Sequence, residues 1–113
     1  MGESEFLAQA EATLDAIEAA LDQLNDDDMV DVECSRSGNV LEIEFIDNGS
    51  KVIVNSQAAM QELWVAARSG GFHYRQKDGK WLNTRDGSEL FAALSEIVTA
   101  QGGAPVVLAP GGA

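Results

Sequence analysis

The chain has 113 residues, of which 45% are hydrophobic, with 19 acidic and seven basic side chains and a net charge of −12. That length suits one domain able to bury about two-thirds of its unfolded surface, and the ordinary apolar content argues against disorder. The acidity excludes binding to nucleic acid or anionic lipid, lone Cys34 excludes an intrachain disulfide or thiolate zinc site, and no apolar run is long enough to span a bilayer.

The charge is segregated. Residues 1–47 carry fourteen carboxylates against one cation, Arg36, whereas residues 48–113 carry five carboxylates and six cations. Pressure for solubility alone would spread the acids over the whole surface, so an anionic face is expected, suited to basic protein surfaces and to hard, oxygen-seeking metal ions. The acidic start, Met1 to Glu5, is unlike a secretory signal, and Phe6 stands where a myristoylation signal wants Ser or Thr. A cytoplasmic protein is expected.

Leu7, Ala10, Leu14, Ile17, Leu21 and Leu24 recur at steps of three and four, which predicts an amphipathic first helix capped by Ser4. From Val30 the period becomes two. Val30, Val32 and Cys34 alternate with Asp31, Glu33 and Ser35, and Leu41, Ile43 and Phe45 alternate with Glu42 and Glu44, predicting strands with one wet face. Turn clusters at 37–39 and 47–50 pair them as an antiparallel meander that continues through Lys51 to Asn55. Leu63 to Ala67 is read as a further strand, and Asp78–Gly79 as the turn of a last hairpin. Asp86 with Glu89 has capping-box spacing ahead of a second helix over Leu90, Leu94, Ile97 and Val98, ending near Gln101. The expected fold is α+β, a two-layer sandwich of two helices on one face of a five- or six-stranded antiparallel sheet, with one domain over 1–101. Residues 102–113 are expected to form a loosely docked Gly/Pro/Ala-rich tail.

On the first helix Glu11, Asp15, Glu18, Asp22 and Asp26 follow at four, three, four and four residues, forming one row beside the apolar seam. Like charges so spaced oppose the helix, by about 1 kcal/mol for the row. Asp27, Asp28, Asp31 and Glu33 continue the row into the loop and first strand. Solvation needs neither a single sign nor such continuity, so the row is read as functional. It is no EF-hand, because a loop begun at Asp26 places Val30, Asp31 and Ser37 where an oxygen ligand, Gly and Glu are required. Oxygen ligands without imidazole or thiolate suit weak, labile binding of iron, manganese or calcium. An open row on a convex helix offers no pocket for acid–base catalysis, so the chain is read as a binding protein and not an enzyme. Cys34, alternating with Val30 and Val32, is read as a buried, inert thiol, and Trp81 as packing.

Asn55, Gln57 and Trp64, the following Gly70, Gly71, Phe72, His73 and Tyr74, then Trp81, Asp86 and Gly87, taken in order behind an acidic first helix, resemble the frataxin family, most closely its bacterial members. Two departures stand out. Ala58 and Ala59 replace a Pro often found after the Gln, and Asp26, Asp27 and Asp28 are contiguous where members alternate their acids.

The resemblance implies an accessory protein of iron–sulfur cluster assembly that binds Fe2+ or Fe3+ weakly and docks on cysteine desulfurase beside the cluster scaffold protein. It implies metal ligands among Glu11, Glu18, Asp22, Asp26, Asp27, Asp28, Asp31 and Glu33, and partner contacts from Asp15, Glu18 and Asp22. A second contact face holds Asn55, Gln57 and an exposed Trp64. A monomer is expected without iron, with iron-dependent oligomers possible once the row is neutralised. The competing reading is an acidic interaction module of the nucleic-acid-mimic type, indifferent to iron.

Overall fold

The computed structural model describes residues 2–109. Helix α1 spans Glu3–Asp26 and is followed by six strands, β1 Val32–Ser37, β2 Val40–Phe45, β3 Lys51–Gln57, β4 Glu62–Ala67, β5 Gly70–Lys77 and β6 Lys80–Asn83, then by α2 Leu90–Gly102. The strands form one sheet in sequence order, each antiparallel to the next. Short turns suffice for such a meander. At the β5–β6 turn Asp78 and Gly79 take φ of 53° and 80°, the paired left-handed conformations that a two-residue hairpin turn requires.

Alternation divides the sheet into two faces. Val32, Leu41, Ile43, Phe45, Val52, Val54, Leu63, Val65 and Tyr74 point to one side and join Phe6, Ala10, Leu14, Ile17 and Leu21 of α1 and Leu90, Leu94 and Val98 of α2 in a single core. Both helices therefore cover the same face, and the opposite face is wet. This is the expected two-layer sandwich, with six strands.

Several local expectations change. Ser4 lies inside α1; Gly2 is the N-cap residue and supplies no side-chain cap. Leu7 is 41% exposed and Phe6 takes its place in the core, packing edge-on against Trp81 at a centroid separation of 5.9 Å. A large ring one residue earlier fills the end of the helix–sheet layer, and Trp81 Nε1 is satisfied there by donating to Thr13 Oγ1 at 2.9 Å. Asp86 does not cap α2 either. Its carboxylate accepts from Ser88 in a local turn, and Glu89 is the N-cap, accepting from the amides of Phe91 and Ala92. A carboxylate can cap its own helix when its side chain curls back onto the free amides of the first turn. Strand β3 runs two residues beyond Asn55, with Ser56 buried.

The segment after α2 is held more firmly than a loose tail would be. Val106 and Leu108 are buried, and their backbones bond to the hydroxyls of Thr99 and Ser95 on α2. Pro110 to Ala113 of the expected tail lie outside the described residues. Among the described residues no helix is long and apolar enough to cross a membrane.

Candidate functional site

The acidic row survives folding as an exposed surface. Glu11, Asp15, Asp22 and Asp26 project from α1, Asp27 and Asp28 from its C-terminal end, Asp31 from the loop and Glu33 from β1; Glu18 alone is half-buried. Three of these acids crowd the helix C-terminus, whose partial negative charge disfavours them, and no basic residue occupies the last turn. Local helix stability does not explain that placement.

Arg36, on the sheet face beneath α1, reaches up into the row. Its Nη1 lies 2.6 Å from Asp15 Oδ1 and 3.8 Å from Glu18 Oε1, and its Nε donates to the Gly38 carbonyl. Asp15 and Glu18 are thus partly neutralised. Asp22, Asp26, Asp28, Asp31 and Glu33 have no salt bridge among the described residues, and Asp27 accepts only from the neutral amide of Gln23.

Folding also adds acids that linear spacing did not reveal. Ile46 donates its amide to the Asp31 carbonyl, which brings the β2–β3 turn against the α1–β1 loop, so that Asp47 joins Asn25, Asp28 and Asp31 around one open depression. Glu44 faces Glu33 directly across the β1–β2 ladder, a like-charge pair that costs stability. Neighbouring Glu42 is compensated, 2.8 Å from Lys51. The period of two had placed Glu42 and Glu44 on the wet face, but their membership of the acidic surface required the register.

Among the described residues no three His, Cys, Asp or Glu side chains converge closely enough to hold a metal ion. The surface can therefore offer one or two carboxylates at a time to a hard cation, with water completing the shell. Cys34 is only partly buried, and its thiol is pushed up to about 12 by burial first and then by Asp22 and Glu18. A thiol so protonated is a poor nucleophile at neutral pH.

The second predicted surface lies on the wet face of the central strands. Asn55 stands opposite Trp64 in the β3–β4 register, Gln57 opposite Glu62, and Trp64 opposite His73 across β4–β5. Trp64 points away from Leu63 and Val65, yet it is half-buried, not freely exposed. Its ring stacks on His73 at 4.4 Å and 7°, and its Nε1 donates to Glu62 Oε1 at 2.9 Å. The acidic row and this aromatic face are separated by the width of three strand spacings, about 14 Å from β1 to β4.

Comparison with known proteins agrees with this fold. The family model of the frataxin-like domain matches residues 1–104. An iron-sulfur cluster assembly protein CyaY from Janthinobacterium sp. (strain Marseille) is 74% identical over 108 residues, covering 96% of each chain. A protein of the same name from Herminiimonas arsenicoxydans is 68% identical over 112 residues, covering 99% of this chain and all of the other. Among solved structures, frataxin from Psychromonas ingrahamii superposes with a TM-score of 0.86 at 30% identity, covering 96% of this chain and 99% of that one. A trimeric yeast frataxin complexed with ferrous iron, at 24% identity and a TM-score of 0.71, shares the fold. With two helices laid over one face of a six-stranded meander and a family match along nearly its whole length, the chain belongs to the frataxin family, among its bacterial CyaY-type members.

Proposed function

We propose that this chain is an accessory and regulatory protein of iron–sulfur cluster assembly in the cytoplasm. It binds Fe2+ or Fe3+ weakly as cargo on its acidic surface and docks that surface on a basic patch of cysteine desulfurase beside the scaffold protein, supplying iron or modulating cluster formation. The observation that carries this reading is the single-sign carboxylate row, running from α1 through the loop into β1 and relieved by one cation among the described residues. Such a row steers a basic partner and makes association salt-sensitive. The names of the relatives, iron-sulfur cluster assembly protein CyaY, support the pathway, and the ferrous complex of the yeast frataxin supports the cargo.

The iron ligands on this reading come from Glu11, Glu18, Asp22, Asp26, Asp27, Asp28, Asp31 and Glu33, and we add Asp47 because it lines the same depression as Asp28 and Asp31. Asp15, Glu18 and Asp22 meet the desulfurase, and Asn55, Gln57 and Trp64 form the second contact face. The chain makes and breaks no bond itself. Without iron it is a monomer, and iron that neutralises the row permits oligomers, which sedimentation with and without excess iron checks.

The decisive experiment is an NMR titration of labelled protein with unlabelled cysteine desulfurase at low and moderate salt, repeated on Glu18→Lys with Asp22→Lys. Resonances from Glu11 to Glu33 shift or broaden in the wild type, more weakly with salt, and the double variant keeps its fold but does not bind. Undiminished binding by the double variant would refute the role of the row.

A further inference from the structure

The wet face of the sheet contains a buried carboxylate. Glu62 is only 4% exposed although it lies on the outer side of β4, and three side chains of the same face converge on it, two of them as hydrogen-bond donors. Trp64 Nε1 donates to Oε1 at 2.9 Å, His73 Nδ1 lies 3.5 Å from the same oxygen, and Arg75 Nη2 lies 2.7 Å from Oε2. A carboxylate withdrawn from water is costly unless paired and hydrogen-bonded, so burying one on a solvent-facing sheet demands a reason. The core supplies none, because the cluster is on the side away from both helices. Its members otherwise point to solvent, with the side chains of His73 and Arg75 48% and 59% exposed.

We infer that Glu62 is a positioning residue that fixes Trp64 for docking: its Oε1 anchors the indole N–H and the His73 ring clamps the indole from one face, so that the aromatic anchor is set before a partner arrives. This rests on the reading of the Asn55, Gln57 and Trp64 surface as a contact face. A tryptophan on an open sheet has two side-chain torsions to fix on binding, and prepaying that ordering strengthens association. The indole is held through its nitrogen, the ring is held by stacking, and Arg75 on Oε2 keeps the carboxylate turned toward Trp64. Glu62 need not touch the partner.

The test compares wild type, Glu62→Ala, Glu62→Gln, Trp64→Ala and Glu62→Ala with Trp64→Ala, each verified as folded by its amide spectrum. Two properties are read. One is the shift and solvent exchange of the Trp64 indole N–H in the free protein, and the other is affinity for the purified complex of cysteine desulfurase and scaffold protein. Glu62→Ala is expected to free the indole, with faster exchange and loss of the ring-current shift on His73, and to weaken binding about threefold to tenfold. Glu62→Gln keeps an acceptor for the indole and is expected to retain both properties, while the double variant binds no worse than Trp64→Ala alone.

An indole unaffected in Glu62→Ala would overturn the inference whatever the partner does. A freed indole with unchanged affinity, while Trp64→Ala weakens binding, would overturn the positioning role and leave the contact face standing. Unchanged affinity in both Glu62→Ala and Trp64→Ala would overturn the contact face and the inference with it. A Glu62→Gln variant with a fixed indole but the affinity of Glu62→Ala would replace positioning by direct charge contact.

Discussion

Replacing Arg36 by Gln separates what the acidic row does for binding from what it does to stability. The guanidinium bonds to Asp15 at 2.6 Å, lies 3.8 Å from Glu18, and donates to the Gly38 carbonyl, with its own side chain 19% exposed and that of Asp15 65% exposed. A buried charge-assisted hydrogen bond contributes about 1.5–3 kcal/mol, and the exposure of Asp15 reduces that toward the range of a surface pair, so a loss of about 1–2 kcal/mol is expected. For a domain of this size the unfolding entropy makes 1 kcal/mol worth about 4 °C, so Tm should fall by about 4–8 °C in dilute buffer. The loss should shrink in high salt, which screens the exposed partner and the repulsion left between Asp15, Glu18 and Asp22. Binding should move the other way. The variant releases two carboxylates and makes the row more negative, so association with the desulfurase, followed by stopped flow at low salt, should accelerate about twofold to threefold. Tm within 1 °C of wild type would show that the pair contributes nothing to the fold. Slower association would show that Arg36 itself serves the interface and that the single-sign field is not what recruits the partner.

Two further outcomes follow from the core and its edge. Phe6→Ala should cost about 3–5 kcal/mol in urea unfolding, because the ring is buried against Trp81, whereas Leu7→Ala should stay within about 0.5 kcal/mol; equal effects would contradict the packing of α1. Because the Cys34 pKa is raised to about 12, native protein at pH 8 should react with iodoacetamide about a hundredfold or more slower than protein unfolded in urea. The sign is that of an acid held neutral by folding. The unfolded thiol ionises first, so stability is lost as pH rises from about 9 toward 12, and Cys34→Ser should flatten that decline; rapid native alkylation at pH 8 would refute the assignment.

The periodicities were legible because each is a local property. A step of three and four residues from Ala10 to Leu21, and alternation from Val32 to Val54, fixed one helix face and the wet side of the meander before any packing was known. The Asp78–Gly79 turn was equally local, since only a few residue types accept its backbone. The choice between Phe6 and Leu7 was not, because adjacent residues both lie near the apolar stripe and only the position of Trp81 from β6 selects the ring. Nor is the cap of α2 a local property, because Asp86 and Glu89 are both competent acceptors and the turn through Ser88 claims the first.

Charge segregation, one core and family membership were thus available from the chain read as a string: each depends on which residues are present, in what order and at what spacing. What the tertiary structure decided is which charges meet. Arg36 finds Asp15 twenty-one residues away, Asp47 is carried to Asp31 by the pairing of two loops, and Glu62 is buried on a wet face by the cross-strand neighbours His73 and Arg75. Strand register and the azimuth of a helix on its sheet are global quantities, set by the whole core at once, and electrostatic partners across elements inherit that non-locality.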